Sequence, residues 1–307
     1  MFADAIETVG GFTRPVKMIS RNYKETEVIP GLATMFFVND EGWAVTCKHV
    51  AGQIIKADQI NKKYSAFRTD AANLPGGKNR GQQLKKLELA YGFKPGMQVQ
   101  LKMQFPGSVR NSTEFDLNLD PEYDVALVHF KGFDKTLYTG HAVFAKSPLP
   151  ARPGDFLCRL GFPFPEFSDF RYVPERDDIE WDASAGRSNT PRFPIEGMFT
   201  RNLGGKDGKI YGLELSTPGL RGQSGGPLFN QQGLIFGMQS ATKHLHLGFD
   251  MVGEKMVLHG KEHTINNQPF LHVGHCISAE IIKELLRKFK VPYFEGDSLE
   301  SAEKICP

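Results

Sequence analysis

The stretch Gly222-Gln223-Ser224-Gly225-Gly226-Pro227 restricts the fold of this chain more than any other. Glycine takes positive φ at little steric cost, so glycines on both sides of one serine permit a tight loop around it. The residues that follow do not suit a helix. A second glycine and the turn Asn230-Gln231-Gln232-Gly233 are poor helix material. That turn separates the apolar runs Pro227-Leu228-Phe229 and Leu234-Ile235-Phe236-Gly237-Met238, which is the pattern of a hairpin. Ser224 therefore reads as a nucleophile on a loop between strands. The Gly222 and Ser224 amides can point at one spot, as the oxyanion of a tetrahedral intermediate requires.

A serine hydroxyl is a weak nucleophile without a base and a group that orients the base. His49 lies in Ala44-Val45-Thr46-Cys47-Lys48-His49-Val50, directly after a strand-like run. Asp124 opens Tyr123-Asp124-Val125-Ala126-Leu127-Val128. The serine loop also satisfies the G-x-S-x-G elbow of a serine esterase on an α/β-hydrolase scaffold. That elbow needs a helix directly after the serine and places the acid and histidine later in the chain. Here the candidates run His49, Asp124, Ser224.

Hydrophobic residues make up 40% and charged residues 23%, an ordinary balance for a globular protein. With Gly 32 and Pro 19, a turn-rich, strand-rich chain fits better than a helical bundle. Residues 1–28 are weakly patterned and read as an N-terminal arm or a first edge strand. Residues 29–145 form a first half. In it, Gly31 to Val38 and Trp43 to Cys47 pair as strands across the turn Asn39-Asp40-Glu41-Gly42. An insertion at 53–95 carries two short helical stretches, and Val99 to Phe105 alternates as a half-buried strand. The run 146–154, rich in Pro and Gly, marks the boundary to a second half, 146–290. That half has strands near 155–161, 195–203, 209–216 and 271–277, with a Gly204 to Gly208 turn between the second and third. Insertions interrupt it at 162–192, expected as a long loop, and at 243–270. Ser278 is placed to cap a last helix whose Ile281, Ile282, Leu285, Leu286 and Phe289 share one face. Residues 291–307 read as a loose tail.

Together these blocks resemble the trypsin-like, chymotrypsin-fold serine proteases, nearest the bacterial HtrA-like branch. The match lies in Phe36-Phe37-Val38 through Thr46-Cys47-Lys48-His49-Val50, in Tyr123-Asp124-Val125-Ala126-Leu127, and in the serine hexapeptide with its hairpin. The resemblance implies an all-β fold of two antiparallel six-stranded β-barrels, with short helical insertions and a C-terminal helix. It implies a serine endopeptidase acting on protein or peptide substrates through an acyl-enzyme. Its triad would be His49, Asp124 and Ser224, and its oxyanion hole Gly222 and Ser224. Gln223 replaces the acid of zymogen-type members, so activation by propeptide cleavage is not expected. No PDZ-like domain is expected after residue 290. In members that cut after Lys or Arg an acid stands where Pro218 stands here. Pro218, Ser240, Thr242 and His275 are the candidate pocket residues, for a small apolar or polar uncharged side chain. A catalytically silent, protease-like binding module is the competing reading.

No cofactor or metal is implied. The histidines at 244, 246, 259, 263, 272 and 275 lack metal-type spacing and read as solvated. Cys47, Cys158, Cys276 and Cys306 are widely spread and read as free thiols of a reducing compartment. The net charge of +2 and the scattered lysines of 56–86 do not point to nucleic acid. The start of the chain shows no secretory signal, and no apolar run approaches the roughly 18–20 residues that cross a bilayer. A cytoplasmic protein without a membrane partner is expected. The oligomeric state is not legible.

Overall fold

The computed structural model describes residues 2–148, 150–205 and 208–307. Leu149 in the expected boundary, and Lys206 and Asp207 in the expected turn after residue 204, lie outside the described residues. The first half runs α1 (Ala3–Phe12), β1 (Thr13–Asn22), β2 (Ile29–Phe37), β3 (Trp43–Thr46), α2 (Lys48–Ala72), α3 (Arg80–Tyr91), β4 (Gln98–Gln104), β5 (Val109–Arg110), β6 (Glu114–Leu119), β7 (Ala126–Lys131) and β8 (Lys135–Thr136). The second half begins with β9 (Val143–Ala145), β10 (Phe156–Gly161), β11 (Phe170–Val173), β12 (Asp178–Trp181), β13 (Phe193–Gly204), β14 (Ile210–Leu215) and β15 (Pro227–Phe229). It continues through β16 (Ile235–His246), β17 (Met251–Leu258), β18 (Lys261–Asn267), β19 (Phe270–Ser278), α4 (Ala279–Lys288), β20 (Tyr293–Gly296) and β21 (Glu303–Ile305).

The chain is all-β in architecture, with helices added at the margins. Six strands of the first half form one sheet in the order β4-β1-β2-β3-β7-β6. The sheet is curved but not closed by hydrogen bonds between β4 and β6. Helix α2 packs against β4, β6 and β7 instead. The Asn61 side chain holds α2 to β4 by bonding both the amide and the carbonyl of Leu101. In the second half β15-β10-β13-β14-β19-β16 closes into a ring, because β15 also pairs with β16. Closure removes the free edges that an open sheet would expose. β9, β20 and β21 extend this ring from β16, two of their joints being parallel.

One apolar core spans both halves. Phe36, Phe37, Val45 and Val128 of the first sheet meet Phe144, Leu160 and Met238 of the second, and Ile281, Ile282, Leu285 and Leu286 of α4 cover them. Ser278 caps α4 by accepting from the Glu280 amide at 3.2 Å, as its sequence pattern predicts. A second core, with Leu157, Phe199, Leu213, Leu215 and Phe236, fills the closed ring.

Several boundaries differ from the sequence expectation. The N-terminal arm is α1 plus β1, and β1 is a central strand between β2 and β4. Its apolar alternation is masked by Lys17 and Arg21, both buried. Their partners come from the 162–192 insertion: Asp169 lies 3.2 Å from Lys17, and Asp177 lies 2.8 Å from Arg21. That insertion is not a bare loop, since it carries the β11–β12 hairpin and ties the second half to the first. The first helical stretch expected in the 53–95 insertion runs from Lys48 to Ala72 and includes His49. The 243–270 insertion is a projecting hairpin of extended β16 and β19 with β17 and β18. The tail is anchored by buried Val291 and Tyr293, and β20 pairs with β9. No helix among the described residues is long and apolar enough to cross a membrane.

Candidate active site

β3 ends at Thr46, and α2 begins two residues later with His49 in its first turn. The first amides of a helix have no intrahelical acceptor. Cys47 at the N-cap supplies no side-chain bond here. Asp124, in the short link between β6 and β7, supplies it from outside. Its Oδ1 accepts from the His49 backbone amide at 3.0 Å. The same carboxylate meets His49 Nδ1 at 2.9 Å through Oδ2 and at 3.1 Å through Oδ1. The positive end of the α2 dipole also favours an anion at this place. One aspartate thus fixes both the start of the helix and the orientation of the imidazole, whose face is half-exposed.

Ser240, at a bend of β16, donates its hydroxyl to Asp124 Oδ2 at 2.6 Å. Sequence reasoning placed Ser240 in the substrate pocket; the structure puts its hydroxyl on the acid. Burial pushes the Asp124 carboxyl up. The hydrogen bonds from His49 and Ser240 outweigh this and hold it below its ordinary value.

The serine loop is clamped between the halves. The Ser224 carbonyl accepts from the Thr34 amide at 2.9 Å, and the Gly222 carbonyl accepts from Thr34 Oγ1 at 2.8 Å. The Gly225 amide donates to Gln239 O at 2.9 Å. Among the described residues, the Gly222 and Ser224 amides donate to nothing in the chain, and the Ser224 hydroxyl makes no hydrogen bond, to His49 included. The structure therefore joins His49 to Asp124 and sets Ser224 on the adjoining loop.

Gly222 has φ of +99° and Gly225 of +89°. A Cβ at Gly222 would lie 2.4 Å from Phe162 O, and one at Gly225 would lie 2.0 Å from Thr34 O. Both obstacles are backbone, which cannot rotate away. Gly225→Ala is expected to lower stability by about 3 kcal/mol or more, combining positive-φ strain with overpacking. Urea unfolding of the two proteins checks this; a change under about 1 kcal/mol would show that the loop is not held as described.

The other pocket candidates are placed as follows. Pro218 is half-buried in the segment before the nucleophile. Thr242 Oγ1 donates to the Gly219 carbonyl at 2.7 Å and ties β16 to that segment. His275 is turned toward Glu214 on the neighbouring strand, with Nε2 3.3 Å from Oε2. Burial lowers the His275 pKa in spite of that carboxylate. Gln239 belongs to the run Gln239 to Thr242 that the sequence reading makes one pocket wall; missed from sequence were Thr34 and the buried Arg159. Only the hydroxyls of Thr34 and Ser240 on otherwise apolar strands offered a signal.

Donor atoms of Cys47, His49 and Asp124 lie within 4.8 Å of one another, as no other such cluster does among the described residues. An ion there would have to part the His49–Asp124 bond, since ligands of one zinc sit about 3.3 Å apart at bond lengths near 2.0–2.1 Å. The Cys47 thiol is fully buried, which pushes its pKa up and disfavours a thiolate ligand.

A curved sheet beside a closed ring, with the serine loop at their junction and the His49–Asp124 pair at the end of β3, defines a chymotrypsin-like peptidase scaffold. The family model described as a trypsin-like peptidase domain matches residues 33–238, and the chain belongs to that family. Among solved structures, the HtrA-type protease AlgW, determined with a tripeptide, matches with a TM-score of 0.46 and 12% identity. The match covers 94% of this chain and 63% of that one, so the chain spans less than two thirds of that protein's length. No curated protein sequence matches.

Proposed function

We propose that the chain is a serine endopeptidase that cleaves protein or peptide substrates through an acyl-enzyme. Ser224 Oγ attacks the scissile carbonyl carbon while His49 Nε2 takes the hydroxyl proton. The oxyanion settles on the Gly222 and Ser224 amides. The C–N bond then breaks, and His49 gives the proton to the leaving amine. Water repeats the sequence on the ester and releases the acid and free Ser224. Asp124 keeps the proton of neutral His49 on Nδ1, so that Nε2 is the acceptor, and stabilises the imidazolium.

The observation that carries this reading is the grip of Asp124 on His49, through ring and backbone at once, with Ser240 on the other oxygen. The lack of a Ser224–His49 hydrogen bond does not exclude the pair, since such bonds are often long in the unliganded state and tighten with substrate. The unspent Gly222 and Ser224 amides speak against a silent binding module with a collapsed hole. An esterase on an α/β-hydrolase scaffold is set aside, because Pro227–Phe229 after the serine is a strand. The four free cysteines, three of them buried, agree with a reducing compartment, and we assign the activity to the cytoplasm.

A fluorophosphonate probe tests the proposal. It is expected to label folded protein at Ser224 alone, as read by peptide mass spectrometry. Absence of label at Ser224 in folded protein would favour the binding module.

A further inference from the structure

Beneath the segment that precedes the nucleophile lies a buried cation without an anion. Arg159, on β10, is fully buried, and among the described residues no carboxylate pairs with it. Its partners are neutral: Nη1 donates to Gln239 Oε1 at 2.8 Å, Nη2 donates to the carbonyl and hydroxyl oxygens of Thr217, and Nε has no partner. Burying a guanidinium carries a large desolvation penalty, and neutral oxygens offset it only in part.

The arrangement fixes the Gln239 amide. A guanidinium only donates, so the atom facing it is the oxygen. The other end, Nε2, donates one hydrogen to Ala241 O at 2.8 Å. A Cβ on Gly219 would come within 2.2 Å of that Nε2. The Gln239 side chain, buried, therefore packs against Gly219 in the segment that leads to Ser224, and its second Nε2 hydrogen has no acceptor among the described residues. Thr242 Oγ1 donates to the Gly219 carbonyl, so only a narrow space is left between that segment and β16. Arg221 and Lys243 are exposed, Glu214 is committed to Arg201 and His275, and Asp124, bonded to Ser240 next to Gln239, is committed to His49.

We propose that this space receives a substrate side chain that is short and bears an acceptor oxygen, aspartate foremost, and that Arg159 is a positioning residue acting through Gln239. The inference rests on the peptidase reading above and replaces the expectation of an uncharged side chain. Arg159 polarises the Gln239 amide and holds its N–H toward the substrate carboxylate. Charge-assisted bonds of this kind are about twice as strong as neutral ones. A pocket built to donate also discriminates sharply against an apolar isostere.

The test compares kcat/KM for peptides that differ only in the residue before the scissile bond: Asp, Asn, Leu or Lys. Asp is expected to exceed Leu by at least about tenfold and Lys by more. Gln239→Glu keeps the shape, pairs with Arg159 and turns an anion to the pocket; it is expected to lower the Asp/Leu ratio at least about tenfold. Arg159→Met is expected to lower the same ratio, chiefly through KM for Asp, with fluorophosphonate labelling of Ser224 reporting an intact site. Wild-type protein that labels yet cuts after Leu or Lys as fast as after Asp overturns the pocket assignment alone. A Gln239→Glu protein that labels and keeps the wild-type ratio does the same. Wild-type protein that neither labels nor cuts overturns the serine-peptidase reading and this one with it.

Discussion

Replacing Ser224 with alanine is expected to lower kcat by about 10^6-fold, the scale found when such a nucleophile is removed. The fold has no stake in the hydroxyl. Ser224 Oγ bonds nothing among the described residues, and the contacts that hold the loop are backbone: Ser224 O to Thr34 N and Gly225 N to Gln239 O. Stability should therefore stay within about 0.5 kcal/mol of wild type, with KM little changed. A small residual activity should remain, because the Gly222 and Ser224 amides survive the substitution. Peptide hydrolysis and thermal unfolding on the same preparation check both halves. Retention of more than about 1% of the wild-type rate would mean that another group attacks the carbonyl.

Asp124→Asn is expected to be the next most damaging change, at about 10^4-fold in kcat. The carboxylate accepts from the His49 amide, His49 Nδ1 and Ser240 at once. Asparagine offers one oxygen and one NH2 group, so a donor now faces a donor. The outcome with least repulsion moves the imidazole proton to Nε2, and His49 then cannot take the Ser224 proton. The same change alters stability with a definite sign. Burial raises the Asp124 pKa, but the His49 and Ser240 hydrogen bonds bring it below 3.8 in the folded protein. A carboxylate with a depressed folded pKa stabilises above its unfolded value and loses that contribution as pH falls through the folded one. The difference in Tm between wild type and Asp124→Asn should thus be full near neutrality and shrink as pH drops below 3.8. A difference that grows in acid would contradict the hydrogen-bonded carboxylate described here.

Much of this was readable before folding. The β2–β3 hairpin, the strand at 98–104 and the hairpin after Ser224 all announced themselves by alternation and turn residues, and α4 by its apolar face and serine cap. The His49–Asp124 contact was legible as a motif pair, because each residue sits at the mouth of a strong strand. β1 was not legible. Its buried face holds Lys17 and Arg21, which look like solvent positions until Asp169 and Asp177 arrive from the far half of the chain. Residues 162–192 were unreadable for the converse reason, since their short hairpin is held by acids presented to β1 and by Phe167, Ile179 and Trp181 packed with Ile19 and Leu32, partners far away in the chain. The length of α2 was also understated, as Asp124 and the contacts to β4 extend it past what its own apolar pattern supports.

The sequence alone determined the local chemistry: a loop only glycines can form, a serine at its centre, and a histidine and an aspartate at strand ends upstream. Positive φ, turn preference and alternation act over a few residues, so they are written in the chain. Tertiary structure alone decided that Ser240 serves the acid, that Arg159 lies beneath Gln239, and that β1 is central. Those outcomes turn on desolvation and on hydrogen bonds between residues far apart in the chain, whose energies exist only once the partners have been brought together.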